Sequence, residues 1–468
     1  MMDPMPALHD LDALQVAAQY AAGALSPTEF ARACLDRIAA CEPILNAMYR
    51  VDADGALAAA RASEARWRAK QPLSPLDGVP VTIKENIYTK GDPAPIGTAA
   101  NADAAPQPED APSSARLREA GCVILGKTTM PDFGMLSSGL SSLHGITRNP
   151  WDRSRNTSGS SSGAGAAAAA GYAPLHVGTD IGGSVRLPAA WNGIFTLKPS
   201  NGRVPVDPPF LGRVAGPMTR TVADSALLLS VITEPDWRDH MNLPPHAIDW
   251  NVAPRDPRGL KIGLHLDAGC GMPVEAETKA AIEAAAKLFA DAGAVVTPVP
   301  AFMTGEMLNL QDIFWRARSW NDFAALSPEK QARVLPFIAK WCHGGADLSG
   351  RDVIRGVNNY MAIRAAAVKA IQPFDFILSP TSPVPTFPAE WEMPSNSVER
   401  AMDHIGFTMP YNMSEQPASS INCGYTSDGK PIGLQIAGHR FDDDGVMRLS
   451  LWFERARAPQ KPWPTPPK

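Results

Sequence analysis

Between Ser158 and Arg186 the chain reads SGSSSGAGAAAAAGYAPLHVGTDIGGSVR. Two glycine-rich turns flank an alanine run, and each turn carries a serine, Ser160 in the first and Ser184 in the second. The run is apolar, short and alanine-rich, which predicts a tightly packed core helix rather than a membrane span. Glycine-rich turns let backbone N–H groups converge on one point, because no Cβ blocks the approach. A serine closing such a turn has an anion-stabilising nest beside its own hydroxyl. That is the local chemistry an acyl-transfer nucleophile needs. Taken singly, each is also an ordinary turn serine that satisfies nearby backbone groups.

The chain has 468 residues, enough for one large α/β domain or two to three ordinary ones. Hydrophobic residues make up 45% and charged residues 19%, so a sizeable core is expected and disorder is not. The net charge is −5 with no long run of either sign, which argues against nucleic acid and against a membrane surface as partners. Six cysteines are scattered with no C-x-x-C pair and read as reduced, mostly buried thiols of a cytoplasmic protein. The N-terminus MMDPMPALHDLDALQ carries acids and no apolar core of a signal peptide. Nine histidines stand in no H-x-x-x-H pair and no triad-like order, so no metal or other cofactor is expected. His144 and His176 lie close to the motifs and read as structural.

Ser26-Pro27-Thr28-Glu29 has the N-cap serine, N1 proline and N3 glutamate of a helix start. Residues 10–70 are predicted helical, with residues 1–70 forming a helical segment packed on the core. Gly78 to Lys84, GVPVTIK, reads as a strand entering the core, and CVILG over 122–126 as another. Further strands are predicted at 260–264, 294–296, 374–378 and 431–437, with helices over 114–120, 224–232, 276–292, 302–341 and 443–456. The expected fold class is α/β, a single domain with a mixed, mostly parallel twisted sheet covered by helices on both faces. Residues 71–458 would form the catalytic domain, and 459–468 a proline-rich tail expected to fray.

Three segments together resemble the amidase signature family over nearly the whole chain. GVPVTIKENIYTKG (78–91) is similar to the family's lysine motif. SGSSSG (158–163) is similar to its second glycine-serine motif. GTDIGGSVRLP (178–188) is nearly identical to its nucleophile segment. Supporting matches are GKTTM (126–130), NPWD (149–152), LKP (197–199) and PIGLQIAG (431–438). The resemblance implies Ser184 as nucleophile, Ser160 as a bridging serine held by a cis Gly159–Ser160 peptide, and Lys84 as general base. It implies an oxyanion hole from the backbone amides of Ile181, Gly182, Gly183 and Ser184. It also places Gly134 on the pocket wall, with Met130 and Ser158 as further substrate-binding residues. An unperturbed lysine is protonated at neutral pH, so the base role requires a dry Lys84, and Val81, Thr82 and Ile83 are consistent with one.

The sequence departs from the family at Glu85, where aspartate is usual, and at Ser158 and Ser162, which replace glycines. Asp180 and Arg186 read as an ion pair holding the nucleophile loop. Met130, Phe133 and Met135 divide evenly between pocket lining and plain core. Trp315, Trp320 and Trp341, with Arg316 and Arg318 among them, point to a large apolar substrate cleft. The implied activity is hydrolysis of the C–N bond of carboxamides or anilides, with esters and carbamates, urethanes included, open to the same machinery. Two other readings stay open: the glutaminase-type A subunit of a tRNA-dependent amidotransferase, and an inactive relative used for binding. Dimers are frequent in the family, so a homodimer stays open as well.

Overall fold

The computed structural model describes residues 7–464. Eleven strands form one sheet. They are β1 (Met48–Val51), β2 (Pro80–Lys84), β3 (Val123–Thr128), β4 (Leu175–Asp180), β5 (Phe195–Lys198) and β6 (Val214–Thr219). The remaining five are β7 (Lys261–Leu264), β8 (Val295–Pro298), β9 (Phe376–Pro380), β10 (Ala418–Tyr425) and β11 (Pro431–Ala437). Across the sheet the order is β1, β3, β2, β4, β6, β5, β10, β11, β9, β7, β8.

The sheet is mixed and flanked by helices, as expected. Its parallel pairs are nevertheless the minority. β2 runs parallel to β3 and β4 on one flank, and β7 runs parallel to β8 and β9 on the other. The other six pairs are antiparallel. One reason lies in the connections. Parallel neighbours need a long crossover, whereas β10 and β11 are joined by a turn in which Thr426 N–H donates to the Lys430 carbonyl at 2.8 Å. β5 and β6 are also consecutive, joined through residues 199–213, whereas the other four antiparallel pairs bring together strands that are not consecutive in the chain.

The N-terminal segment follows its sequence signals at the start. Ser26 Oγ accepts from Glu29 N–H at 3.1 Å and caps the helix Pro27–Leu45. It is not helical throughout, because Met48–Val51 leaves the helices and pairs antiparallel with β3 as an edge strand. The stretch predicted as one helix over 302–341 is three, Gly305–Ala324, Pro328–Gln331 and Pro336–His343. Pro328 and Pro336 each sit in the first turn of a new helix, where their missing N–H does no harm.

The alanine run forms the helix Ser162–Ala170, buried along its entire length. It packs on β2, β3, β4 and β6 and on the helix Arg186–Asn192. The approach is so close that a Cβ on Gly163 would lie 2.1 Å from the Ala47 carbonyl oxygen.

Through Pro464 the tail lies against the rest of the molecule. Arg220 stacks on the Trp463 ring at 4.6 Å, Trp151 lies 6.1 Å from it, and Arg37 donates to the Pro464 carbonyl at 3.4 Å. The tail's last four residues, 465–468, lie outside the described residues. All six cysteines are free. Among the described residues no helix is long and apolar enough to cross a membrane.

Candidate active site

Lys84 is the last residue of β2, and Thr179 and Asp180 are the last of β4. The two strands are parallel neighbours, so their carboxyl ends open on the same edge of the sheet. Lys84 is fully buried there, and its Nζ lies 2.8 Å from Ser160 Oγ and 2.9 Å from Thr179 Oγ1. Asn86 Nδ2 donates to the same Thr179 oxygen at 3.1 Å. Burial pulls the Lys84 ammonium down to about 7; Asp180 opposes the shift, Arg213 reinforces it and Glu85 opposes it. Lys127 and Lys198 are also buried and also pulled to about 7. They donate to the backbone carbonyls of Ile87 and Pro199 instead. A depressed lysine alone therefore does not mark a base; what sets Lys84 apart from the other two is the serine beside it.

Ser160 follows a cis Gly159–Ser160 peptide and stands just before the buried alanine helix. Ser184 lies on the loop that leaves β4. Asp180 and Arg186 clamp this loop as a fully buried ion pair, with Arg186 Nη2 donating to Asp180 Oδ1 at 3.1 Å and Nε to Oδ2 at 3.1 Å. Arg186 donates further to the Thr408 carbonyl, Gln435 Oε1 and Asn412 Oδ1. Burial alone would raise the Asp180 carboxyl. The charge and hydrogen bonds of Arg186, the amide of Asn412 and the charge of Lys198 outweigh it and hold Asp180 well below the usual carboxylate range.

The clamp decides which amides face outward. Gly183 N–H donates to Asp180 Oδ1 at 2.8 Å, and the Gly182 carbonyl accepts from Thr408 Oγ1 at 2.6 Å. The Gly182–Gly183 peptide is thus held at both ends, and its N–H is not free for an oxyanion. Gly183 is a correction to the predicted set of donors. The amides of Ile181, Gly182 and Ser184 have no protein acceptor among the described residues.

Ser160, Thr179, Ile181, Gly182 and Ser184 line one cavity of about 100 Å³. Phe133, Met135, Leu136, Trp315, Met393 and Ile405 form its apolar wall, while Asn86, Arg213 and Arg318 add polar groups. No acidic residue lines it. Gly134 is on the wall as predicted, and a Cβ there would lie 3.4 Å from Ser160 Oγ. Met130 and Ser158 are not. Met130 is buried behind Gly134, and Ser158 is fully buried, its N–H tied to Asn156 Oδ1 at 2.8 Å. Nor is the cavity large. Of the three tryptophans only Trp315 reaches it; Trp341 is core, its indole N–H on Asp312, and Trp320 packs on Phe323 and His343.

Glu85 and both nearby histidines stand outside the cavity. Glu85 is fully buried, accepting from Gly97 N–H at 2.9 Å and facing His144 Nε2 at 2.8 Å. His176 sits between Thr82 Oγ1 and the Ala173 carbonyl, and burial pulls it down to about 3. Among the described residues no three His, Cys, Asp or Glu side chains cluster in a way that could hold a metal ion. Thr179 and Thr408 were missed from the sequence. Thr179 could have been found from its place in GTDIGGS, five residues before Ser184. Thr408 had no local signal at all.

The amidase family profile matches residues 29–447, and the chain belongs to that family of amidase signature hydrolases. The A subunit of glutamyl-tRNA(Gln) amidotransferase from Myxococcus xanthus is 36% identical, with 96% of this chain and 97% of that one covered. An acylamidase of Rhodococcus erythropolis is 34% identical, with 97% and 96% covered. Among solved structures, a bacterial aryl acylamidase of the amidase signature family superposes with a TM-score of 0.88 at 28% identity, covering 96% of each chain. A 6-aminohexanoate cyclic dimer hydrolase superposes with a TM-score of 0.84 at 26% identity, covering 96% of this chain and 97% of that one.

Proposed function

We propose that the chain hydrolyses the C–N bond of carboxamides or anilides through an acyl-enzyme on Ser184. One observation carries the reading: a fully buried lysine, held near neutrality, lies 2.8 Å from a serine that shares a cavity with Ser184. Neutral Lys84 takes the proton of Ser160 while Ser160 takes that of Ser184. Ser184 Oγ attacks the carbonyl carbon, and the oxyanion meets the amides of Ile181, Gly182 and Ser184. Each such donor is worth about 3 kcal/mol of barrier. Ser160 then gives its proton to the leaving nitrogen and recovers one from the Lys84 ammonium, which restores the neutral lysine. Water repeats the cycle on the acyl-enzyme and frees the acid. Esters and carbamates, urethanes included, pass through the same oxyanion and are open to the same site.

A second reading, the glutaminase component of an amidotransferase, is favoured by relatives such as the Myxococcus xanthus protein. Free glutamine carries an α-ammonium group, and burying a cation requires a paired or hydrogen-bonding partner. The absence of any acidic residue from the cavity lining supports the autonomous amidase instead. The test is intact-mass spectrometry after a serine-reactive fluorophosphonate, on wild type and Ser184→Ala, followed by turnover of an aryl anilide and of glutamine. We expect one adduct, lost in the variant, and anilide hydrolysis by the chain alone. An adduct that survives Ser184→Ala sinks the nucleophile assignment. Glutamine turnover without anilide turnover favours the amidotransferase reading.

A further inference from the structure

Two arginines line the cavity beside Ser160 and Ser184, and neither has a carboxylate within ion-pair distance among the described residues. Each guanidinium brings five N–H donors and stays charged at any working pH. Arg213 places one donor on the Pro208 carbonyl at 2.9 Å. Arg318 stacks on the Phe210 ring at 4.0 Å and makes no hydrogen bond to a protein acceptor among the described residues. One turn brings them together: Arg213 N–H closes it on the Phe210 carbonyl at 3.0 Å, and Phe210 is the ring under Arg318. Both residues are only partly exposed, so two like charges line one partly dry cavity. Burial, followed by the charge of Arg318, lowers Arg213 to about 10. Asp322, one turn along the same helix, attracts Arg318 from beyond ion-pair distance and is exposed to solvent, while Asp180 and Glu85 are engaged with Arg186 and His144.

Such a pair is at odds with a wholly neutral substrate, since partly buried cations without an ion-pair partner are unfavourable. Building on the hydrolase reading above, we propose that the substrate carries a carboxylate, held by Arg213 and Arg318, on an otherwise apolar amide. The planar guanidinium fork matches a carboxylate in two parallel hydrogen bonds. The carboxylate stands on either the acyl or the amine side of the scissile bond, and the apolar wall of Phe133, Met135 and Trp315 takes the carbon skeleton.

Two matched pairs of substrates test this. Pentanoyl-4-nitroanilide against glutaric mono-4-nitroanilide probes the acyl side, and acetanilide against 4-acetamidobenzoate probes the amine side. In at least one pair the acid should have a kcat/KM higher by about 10- to 100-fold, the span of a charge-assisted hydrogen bond. Arg213→Gln and Arg318→Gln should bring that ratio toward unity, mainly through KM. Equal or better turnover of the neutral member in both pairs overturns the carboxylate proposal and leaves the hydrolase reading standing. Calorimetry on Ser184→Ala with glutarate and with benzoate decides the matter without turnover. Binding that is lost on adding Arg213→Gln and Arg318→Gln, in protein whose melting is still cooperative, supports the proposal. No binding of either acid at millimolar concentration overturns it, even if a failed fluorophosphonate reaction has already removed the hydrolase reading.

Discussion

At the scale of single residues, the protonation of Lys84 sets the behaviour of the site. In the proposed mechanism its neutral form accepts the proton, and burial places the midpoint at about 7. Below that pH the ammonium accumulates, so kcat/KM should fall about tenfold per unit as pH drops and level off above the midpoint. A pH–rate profile from 5 to 9 checks this, and a flat profile across 7 counts against the base role. Lys84→Ala should lose more at pH 7 than at high pH, where solvent hydroxide can substitute. Lys84, Ser160 and Ser184 were legible because each sits inside a short motif whose chemistry is local. The Gly183 amide was not, because its acceptor is the Asp180 carboxylate, which is held in turn by Asn412 from 232 residues away. Met130 and Ser158 misled for a related reason, since adjacency to a motif says nothing about which side of the wall a side chain takes.

At the scale of elements, the loop from Asp180 to Arg186 is rigid because a buried ion pair ties its two ends. Arg186→Met leaves Asp180 charged, buried and partly unpaired, which should cost about 3–5 kcal/mol of stability and loosen the oxyanion amides. Denaturant titration and kcat together measure it; a stable variant with full activity would show that the clamp is dispensable. The same loop meets the helix Gly305–Ala324, where a Cβ on Gly182 would lie 3.2 Å from Trp315 Cη2. Gly182→Ala should lower kcat/KM for anilides by about 10- to 100-fold, the effect of a small misplacement. Trp315→Phe in that background should recover part of the loss, and no recovery would locate the damage in the loop itself. Individual strands were readable as β-branched runs between turn residues. Their direction was not, because it depends on whether a connection is a hairpin or a crossover. β1 escaped because four residues between two helices carry too little pattern.

For the molecule as a whole, the described part of the tail acts as a strap. Trp463 under Arg220, together with the Lys461 ammonium 4.6 Å from the Tyr425 ring, ties residues 459–464 to distant parts of the surface. Deleting residues 459–468 should lower Tm by about 1–3 °C, since a chain of this length has a large unfolding entropy. The site lies elsewhere, so scanning calorimetry should register the change while anilide turnover holds. A drop in turnover matching the drop in Tm would mean the strap supports the site as well. The cavity has a wider origin: its walls come from Asn86, Ser160, Arg213, Trp315 and Met393, spread over most of the sequence. No fragment of the polypeptide carries enough of it to activate a serine. Reactivity of Ser184 toward a covalent probe is therefore a gauge of completed assembly. If Ser184 is the nucleophile proposed above, a nascent or partly denatured molecule would stay inert toward amides until its last distant pieces had met, and the serine would stay silent while still surrounded by unfolded peptide bonds.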